Sequence, residues 1–401
     1  MLPSLAPHEA WAIGLIVVLA VLRPVARLGW TVAGVVVAGA VGVMAATTGV
    51  GDLMPARWLV LPWLALAVVL AAAAAGSPLR WEPRTGPSAA TALAFGAILV
   101  HLAQAWLADG GALAHAGEAW VAGDLPAADL TADAAAPLTL PFIWLLSRLP
   151  GVDAAAATGV LTLAAAAGLV IGAGHLARGW GYTGTGRATM AAVAWAPPLL
   201  LAHVHAPVLL IAGVALVWAW WALGEVWAGR HLPSRMAVVS GALLGVAVGT
   251  ALWPLLVGPL WIRRLSGRKL AWFLVGLLGA MVVSVAALVP TGWGVGDLWR
   301  AVVLDPIEAA DLGIVLPLAL AVVALAGAAP RVPLSPTRLS AATGAILALA
   351  SPWWPTAWQV TGPVLAVPFV ILAAVAPDRP QEHWPPDAPL PLEDVPAGVG
   401  R

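Results

Sequence analysis

Residues 206–227 carry one charged side chain, Glu225, in a run otherwise dominated by Val, Leu, Ile, Ala and Trp. A stretch of about 20 apolar residues is long enough to cross the hydrocarbon of a bilayer as a helix. Inside lipid it must be helical, because nothing there can satisfy unpaired backbone groups. Comparable runs recur at 8–22, 29–48, 58–76, 88–107, 137–149, 154–177, 188–202, 236–262, 270–289, 312–329, 338–352 and 357–376. The chain is 61% hydrophobic and 9% charged, against about a quarter charged in soluble domains. These runs predict an all-α polytopic transmembrane helical bundle of about 11–13 membrane segments. Residues 1–376 form one transmembrane domain, and the Pro-rich segment 377–401 reads as a disordered tail.

Basic residues set the orientation, because cytoplasmic loops retain Lys and Arg. Arg23 and Arg27 after the first run go inside, as do Arg80 and Arg84, and so does the cluster Arg263, Arg264, Arg268 and Lys269. No cleavable leader is evident; the run from Trp11 to Leu22 reads as a first span. The first outer loop is then 108–135, with Asp109, Glu118, Asp124, Asp129 and Asp133 and no Lys or Arg. The second is 290–311, with Asp297, Asp305, Glu308 and Asp311 against Arg300. Two arrangements fit residues 136–262. Five simple crossings place Arg178, Arg187, Arg230 and Arg235 outside. Alternatively 137–149 is re-entrant and 236–262 breaks at Trp253-Pro254 into a hairpin, since proline removes a helical donor. The second puts those arginines inside and the His203-Val-His205 turn outside, and is preferred.

Tryptophans such as Trp58, Trp81, Trp293, Trp299, Trp353 and Trp354 stand at span ends, as in an interfacial aromatic belt. Trp120, Trp293 or Trp299 would instead suit stacking on a sugar. Gly241, Gly245 and Gly249 recur every fourth residue, a face that allows helices to approach closely. The spans themselves contain few ionisable groups, chiefly His101, His175 and Glu225. Pumps and coupled transporters place charge within their spans, so this scarcity points to polar work at one membrane face. Net charge is zero and cysteine is absent, which gives no sign of a nucleic-acid partner and excludes thiol chemistry. The two-histidine turn lacks a third ligand for a metal, so no metal site is expected.

The first outer loop has the one concentration of carboxylates that could converge on a substrate. Residues 112–122 place Ala112, Leu113, Ala116, Ala119 and Trp120 on one helical side, as expected of a short helix lying on the membrane. Asp109 stands just past the 88–107 span, at the height of a lipid headgroup. The order that follows is Gly123-Asp124-Leu125-Pro126, then Asp129, then Pro137-Leu138 opening the next apolar run. This order resembles the GT-C glycosyltransferases, and within them the bacterial polyprenol-phosphate-mannose-dependent mannosyltransferases. Asp109 falls at that family's catalytic position, while Gly123, Pro126, Asp129 and Pro137 fall on its following motifs. Ala196-Pro197-Pro198-Leu199 and Gly241-ALLG-VAVGTALWPLL are also similar, so the likeness covers roughly residues 90–265. Several positions depart from the pattern. Ala127 replaces a Tyr, Ala134 to Ala136 replace a Glu-Tyr-Pro run, Ala251 replaces a Lys, and His203-Val-His205 replaces a Gly-Gln-x-Asp.

What the resemblance implies is a GT-C-like fold and a hexosyltransferase of the cell envelope. It would be a multi-pass protein of the plasma membrane, in bacteria with a GC-rich genome. It would move mannose from a polyprenyl-phosphate donor to an extracytoplasmic lipid or glycan acceptor. Such a transferase needs a carboxylate to take the acceptor proton, for which Asp109 comes first and Asp129 second. The phosphate leaving group needs cations or hydrogen-bond donors. Arg300 is the first candidate, followed by His203 and His205, with His115 and Trp120 as further substrate contacts. No cofactor is expected beyond the lipid-linked donor, and the partners are membrane lipids and other membrane proteins. The alternative is a catalytically inactive protein of the same architecture, acting as a scaffold in envelope assembly.

Overall fold

The computed structural model describes residues 81–83, 86–107, 148–179, 183–227, 233–251, 253–263, 265–287, 336–349 and 362–375, with isolated positions within 13–24, 116–122 and 145–146, and residue 296. The protein is helical and membrane-embedded: five of its described helices are long and apolar enough to cross a bilayer. In chain order the elements are β1 (Leu22–Pro24), β2 (Trp81–Pro83), α1 (Pro87–Leu107), α2 (Ala154–Gly179), α3 (Thr183–Ala194), α4 (Pro197–His205) and α5 (Pro207–Trp227). They are followed by α6 (Pro233–Thr250), a 3-10 helix (Trp253–Val257), α7 (Gly258–Ile262) and α8 (Gly267–Ala286). α9 (Pro336–Leu349), a second 3-10 helix (Gly362–Leu365) and α10 (Val367–Val375) complete the set. Residues 29–76, 312–329 and the tail 377–401 lie outside the described residues.

Proline fixes where many of these helices begin. Pro87, Pro197, Pro207, Pro233 and Pro336 each open a helix, where the missing N–H costs nothing and φ is already helical. α2 is started by Asp153, whose carboxylate accepts the Ala156 N–H at 2.7 Å, as an N-cap does.

Side-chain contacts give each helix a direction. Ala105 of α1 meets Gly159 of α2, and His101 is linked through His203 to Thr162, so α1 and α2 run antiparallel. The end of α1 and the start of α2 therefore lie on one face, while residues 137–144 between them lie outside the described residues. α3 runs back along α2, with Met190 on Gly174 and Gly186 on Arg178. α4 continues in the same sense until His203 reaches Thr162. The expected span 188–202 is thus one crossing made of two helices, broken at Trp195-Ala196. α5 runs parallel to α2: Val214 meets Gly168, Trp218 meets Gly172, and Trp221 meets His175.

α6 and α8 are also parallel. A Cβ on Gly241 would strike the Phe273 carbonyl, one on Gly245 the Leu277 carbonyl, and one on Gly276 the Val238 carbonyl. Partner numbers rise together along both helices. α6 is 18 residues long, or about 27 Å, so residues 251–266 must retrace that depth before α8 can start. α6 ends at Thr250 and the chain resumes as a 3-10 helix at Trp253, so the break falls just ahead of the Trp253-Pro254 position expected from the sequence. Trp253, Val257, Leu260 and Trp261 of the returning segment are buried in protein, which is what allows irregular backbone at this depth. Trp261 is fully buried, donates to Thr343 Oγ1 of α9 at 3.1 Å, and packs at a tilt against Trp220 and Phe369 at 5.1 and 6.5 Å between ring centroids.

One face consequently gathers the ends of α2 and α5 and the starts of α3, α6 and α8, with Arg178, Arg187, Arg235, Arg268 and Lys269. Lys269 Nζ reaches the Val226 carbonyl at 3.5 Å. These ends agree with the arrangement that groups Arg178, Arg187 and Arg235 on one face. β1 and β2 pair antiparallel, Arg23 opposite Glu82, which brings the two early arginine-bearing segments together. This ribbon is the one departure from helix among the described elements.

Candidate functional site

Opposite the arginine face, α1 ends, α2 begins, and α8 ends at Ala287. Here the stretch around Trp120 touches the end of α8. Trp120 donates its indole N–H to the carbonyl of Ala287 at 3.1 Å, filling one of the acceptors that a helix C-terminus leaves open. Around Trp120 the chain is helical, with Ala116 buried and Glu118 exposed, in keeping with the amphipathic helix expected over 112–122. Its ring remains half-buried rather than enclosed.

Below this face lies a buried polar relay. His101 of α1 and His203 of α4 are each 3% exposed. Their rings meet edge-on, Nδ1 of His101 lying 3.0 Å from Nε2 of His203. The relay has a cause in the sequence. Pro198 has no N–H, so it cannot bond the carbonyl four residues back, that of Ala194. Nε2 of His101 takes that carbonyl at 2.9 Å, as neighbouring helices commonly do for prolines in membranes. Nδ1 of His203 in turn lies 3.3 Å from Thr162 Oγ1 of α2.

A carbonyl only accepts, so His101 Nε2 must carry a hydrogen. In the neutral pair His101 Nδ1 is then an acceptor, His203 Nε2 donates to it, and His203 Nδ1 accepts from the Thr162 hydroxyl. The tautomers follow from the network rather than from observed hydrogens. Gln104, one turn beyond His101, is 3% exposed, and its Oε1 has no partner among the described residues. At ~1.5 Å per residue the relay sits roughly 9–12 Å inside the ends of α1 and α2. It is thus in the half of the bundle under the acidic loops.

Of the residues expected to form the site, Asp109, His115, Asp129 and Arg300 lie outside the described residues, as does the side chain of His205, which ends α4. Asp109 follows the last residue of α1 by two positions. Trp120 is at the outer face, and His203 turns inward to His101 and Thr162. Sequence reading singled out His101 only as an ionisable group in a span. Its partner is 102 positions away, a separation that no local pattern encodes. Pro198 was the available signal, since it implied an orphaned carbonyl in need of a donor. Among the described residues no group of three His, Asp or Glu side chains could hold a metal ion. Comparison with protein-family models, with curated proteins and with solved structures gives no match.

Proposed function

We propose that this protein is a GT-C-like membrane glycosyltransferase working at the acidic face, where it moves mannose from a polyprenyl-phosphate donor to an extracytoplasmic acceptor. The observation that carries the reading is the Trp120–Ala287 hydrogen bond. It ties the loop bearing Asp109 and Asp129 to the end of the helix that leads into the loop bearing Arg300. A carboxylate base and a cation for the leaving phosphate are needed at one site, and this tie supports the reading that their loops share a face. The polar interior under the face and the arginines opposite it agree with a plasma-membrane protein whose polar work is extracytoplasmic.

In this reading Asp109 takes the proton of the acceptor hydroxyl as the bond from the anomeric carbon to phosphate opens. Asp129 supports it, and Arg300 with His205 faces the departing phosphate. His115 and Trp120 border the sugar. The test uses the full chain in lipid nanodiscs with radiolabelled polyprenyl-phosphate-mannose and total membrane lipid as acceptor. Label should move to a new lipid or glycan product, and Asp109→Asn should lower the rate by about 10²–10⁴-fold. Binding of the donor without transfer, or no binding at all, would favour the inactive scaffold of envelope assembly.

A further inference from the structure

The relay of His101, His203 and Thr162 belongs to no step of the proposed transfer, yet it places two imidazoles in the membrane interior. Ionisable groups at such depth are costly and usually functional. Four contacts make up the relay: His101 to the Ala194 carbonyl, His101 to His203, His203 to Thr162, and Thr162 to the Gly159 carbonyl at 3.1 Å. Each contact needs its own hydrogen. The neutral side chains supply one from each imidazole and one from the hydroxyl, which leaves the relay one short.

We propose that the His101–His203 pair is a binding site for a single proton, and that its occupancy switches the hydrogen bond of Thr162. Without the proton, the Thr162 hydroxyl donates to His203 Nδ1. When a proton adds to His203 Nδ1, that nitrogen becomes a donor to Thr162 Oγ1, and the hydroxyl turns to the Gly159 carbonyl. No heavy atom has to move, and every contact is then filled. A second proton is excluded: it would set two N–H groups against each other at the 3.0 Å contact between the rings. The apolar surroundings favour the neutral form, whereas the hydrogen count favours the charged one. Burial and the hydrogen count therefore act on this site in opposite directions. The site also spans the break between α3 and α4, since the Ala194 carbonyl freed by Pro198 anchors one end.

No other described charge sits beside the pair. Along the elements packed on it, the titratable groups are Asp153 ahead of α2, His175 and Arg178 of α2, Arg187 of α3 and Glu225 of α5. Besides these, only His205 shares α4 with His203. His175 is about 20 Å along α2 from Thr162 at ~1.5 Å per residue, and Arg178, Arg187 and Glu225 lie at that same far end. Gln104, with an unpartnered Oε1 on the same side of α1, is the nearest spare acceptor to the pair by sequence.

The test is solid-state NMR of the 15N-histidine-labelled full chain in phosphatidylglycerol nanodiscs, titrated with acid. His101→Gln and His203→Gln variants identify the signals. The expected result is one tautomer for both rings at neutral pH, then uptake of one proton per chain by the pair while the helices remain folded. Thr162→Val removes the acceptor for the new N–H, and should lower the one-proton population roughly tenfold at fixed pH, as loss of a charged hydrogen bond does. Two independent protonations, or mixed tautomers at neutral pH, would overturn the proposal. So would no uptake before unfolding, or a Thr162→Val chain that takes up the proton as the parent does.

Discussion

The indole of Trp120 and the carbonyl of Ala287 lie 3.1 Å apart, although they belong to loops that the sequence separates by most of the bundle. This contact lies on the face opposite the arginines. It joins the amphipathic stretch after α1 to the end of α8, and the parallel course of α6 and α8 explains how that end reaches the face. Had 236–262 been one uninterrupted helix, α8 would have ended among the arginines.

Replacing Trp120 by Phe keeps the ring and removes the donor. We expect a loss of about 1 kcal/mol at this contact, the usual net value of a hydrogen bond, with global folding retained. Hydrogen exchange should become faster at the end of α8 and in residues 116–122 together. Faster exchange in only one of the two would mean that the contact does not couple them.

The α6–α8 pair should not tolerate side chains at its glycines. A Cβ at Gly241 or Gly276 meets backbone carbonyls, whereas Gly279 on the same helix faces open space. Backbone cannot yield as a flexible side chain can, so Gly241→Ala and Gly276→Ala should destabilise the protein by about 1–3 kcal/mol. Gly279→Ala should be neutral or slightly stabilising, since alanine is the better helix former. Thermal unfolding in detergent, read by tryptophan fluorescence, orders the three variants.

His101 and His203 should behave as a unit. His101→Leu removes the donor to the Ala194 carbonyl and the acceptor of His203 Nε2, and His203→Leu leaves His101 Nδ1 unfilled. Each should cost about 1–2 kcal/mol, the scale of hydrogen bonds between membrane helices. The double variant should cost clearly less than their sum, because contacting residues couple. Strict additivity in a double-mutant cycle would show that the two rings do not share a bond.

Much of the membrane course was legible in the residues. Pro254 announced the break after α6, Gly241 and Gly245 announced a close helix contact, and the arginines announced the face on which α2, α5, α6 and α8 would share their ends. Gly276, which answers that stripe from α8, was not read as part of it, because a reciprocal contact depends on the direction of the second helix. Pro197-Pro198 lay within view, yet 188–202 read as one span since hydropathy passes smoothly through the break. The pairing within the relay was not legible, although Pro198 signalled an acceptor in need of a donor: His101 and His203 meet because α1 and α4 pack on α2, which is a fact of tertiary arrangement. Trp195, Trp218 and Trp261 donate to groups inside the bundle at 2.7, 3.0 and 3.1 Å. These tryptophans serve the interior, a role apart from the interfacial belt expected from the sequence.

The central claim is that the two acidic loops share a face and that the arginines occupy the other. Labelling of single cysteines tests it most directly in this cysteine-free chain. Positions 111 and 296 report on the two loops, and nothing lies within 4 Å of a Cβ at Gly296. Ser266, exposed just before α8, reports on the arginine side. With an impermeant thiol reagent on intact cells, Gly111→Cys and Gly296→Cys should both label, and Ser266→Cys only after the membrane is opened. Labelling of one loop without the other, or of Ser266→Cys together with both, would contradict the account.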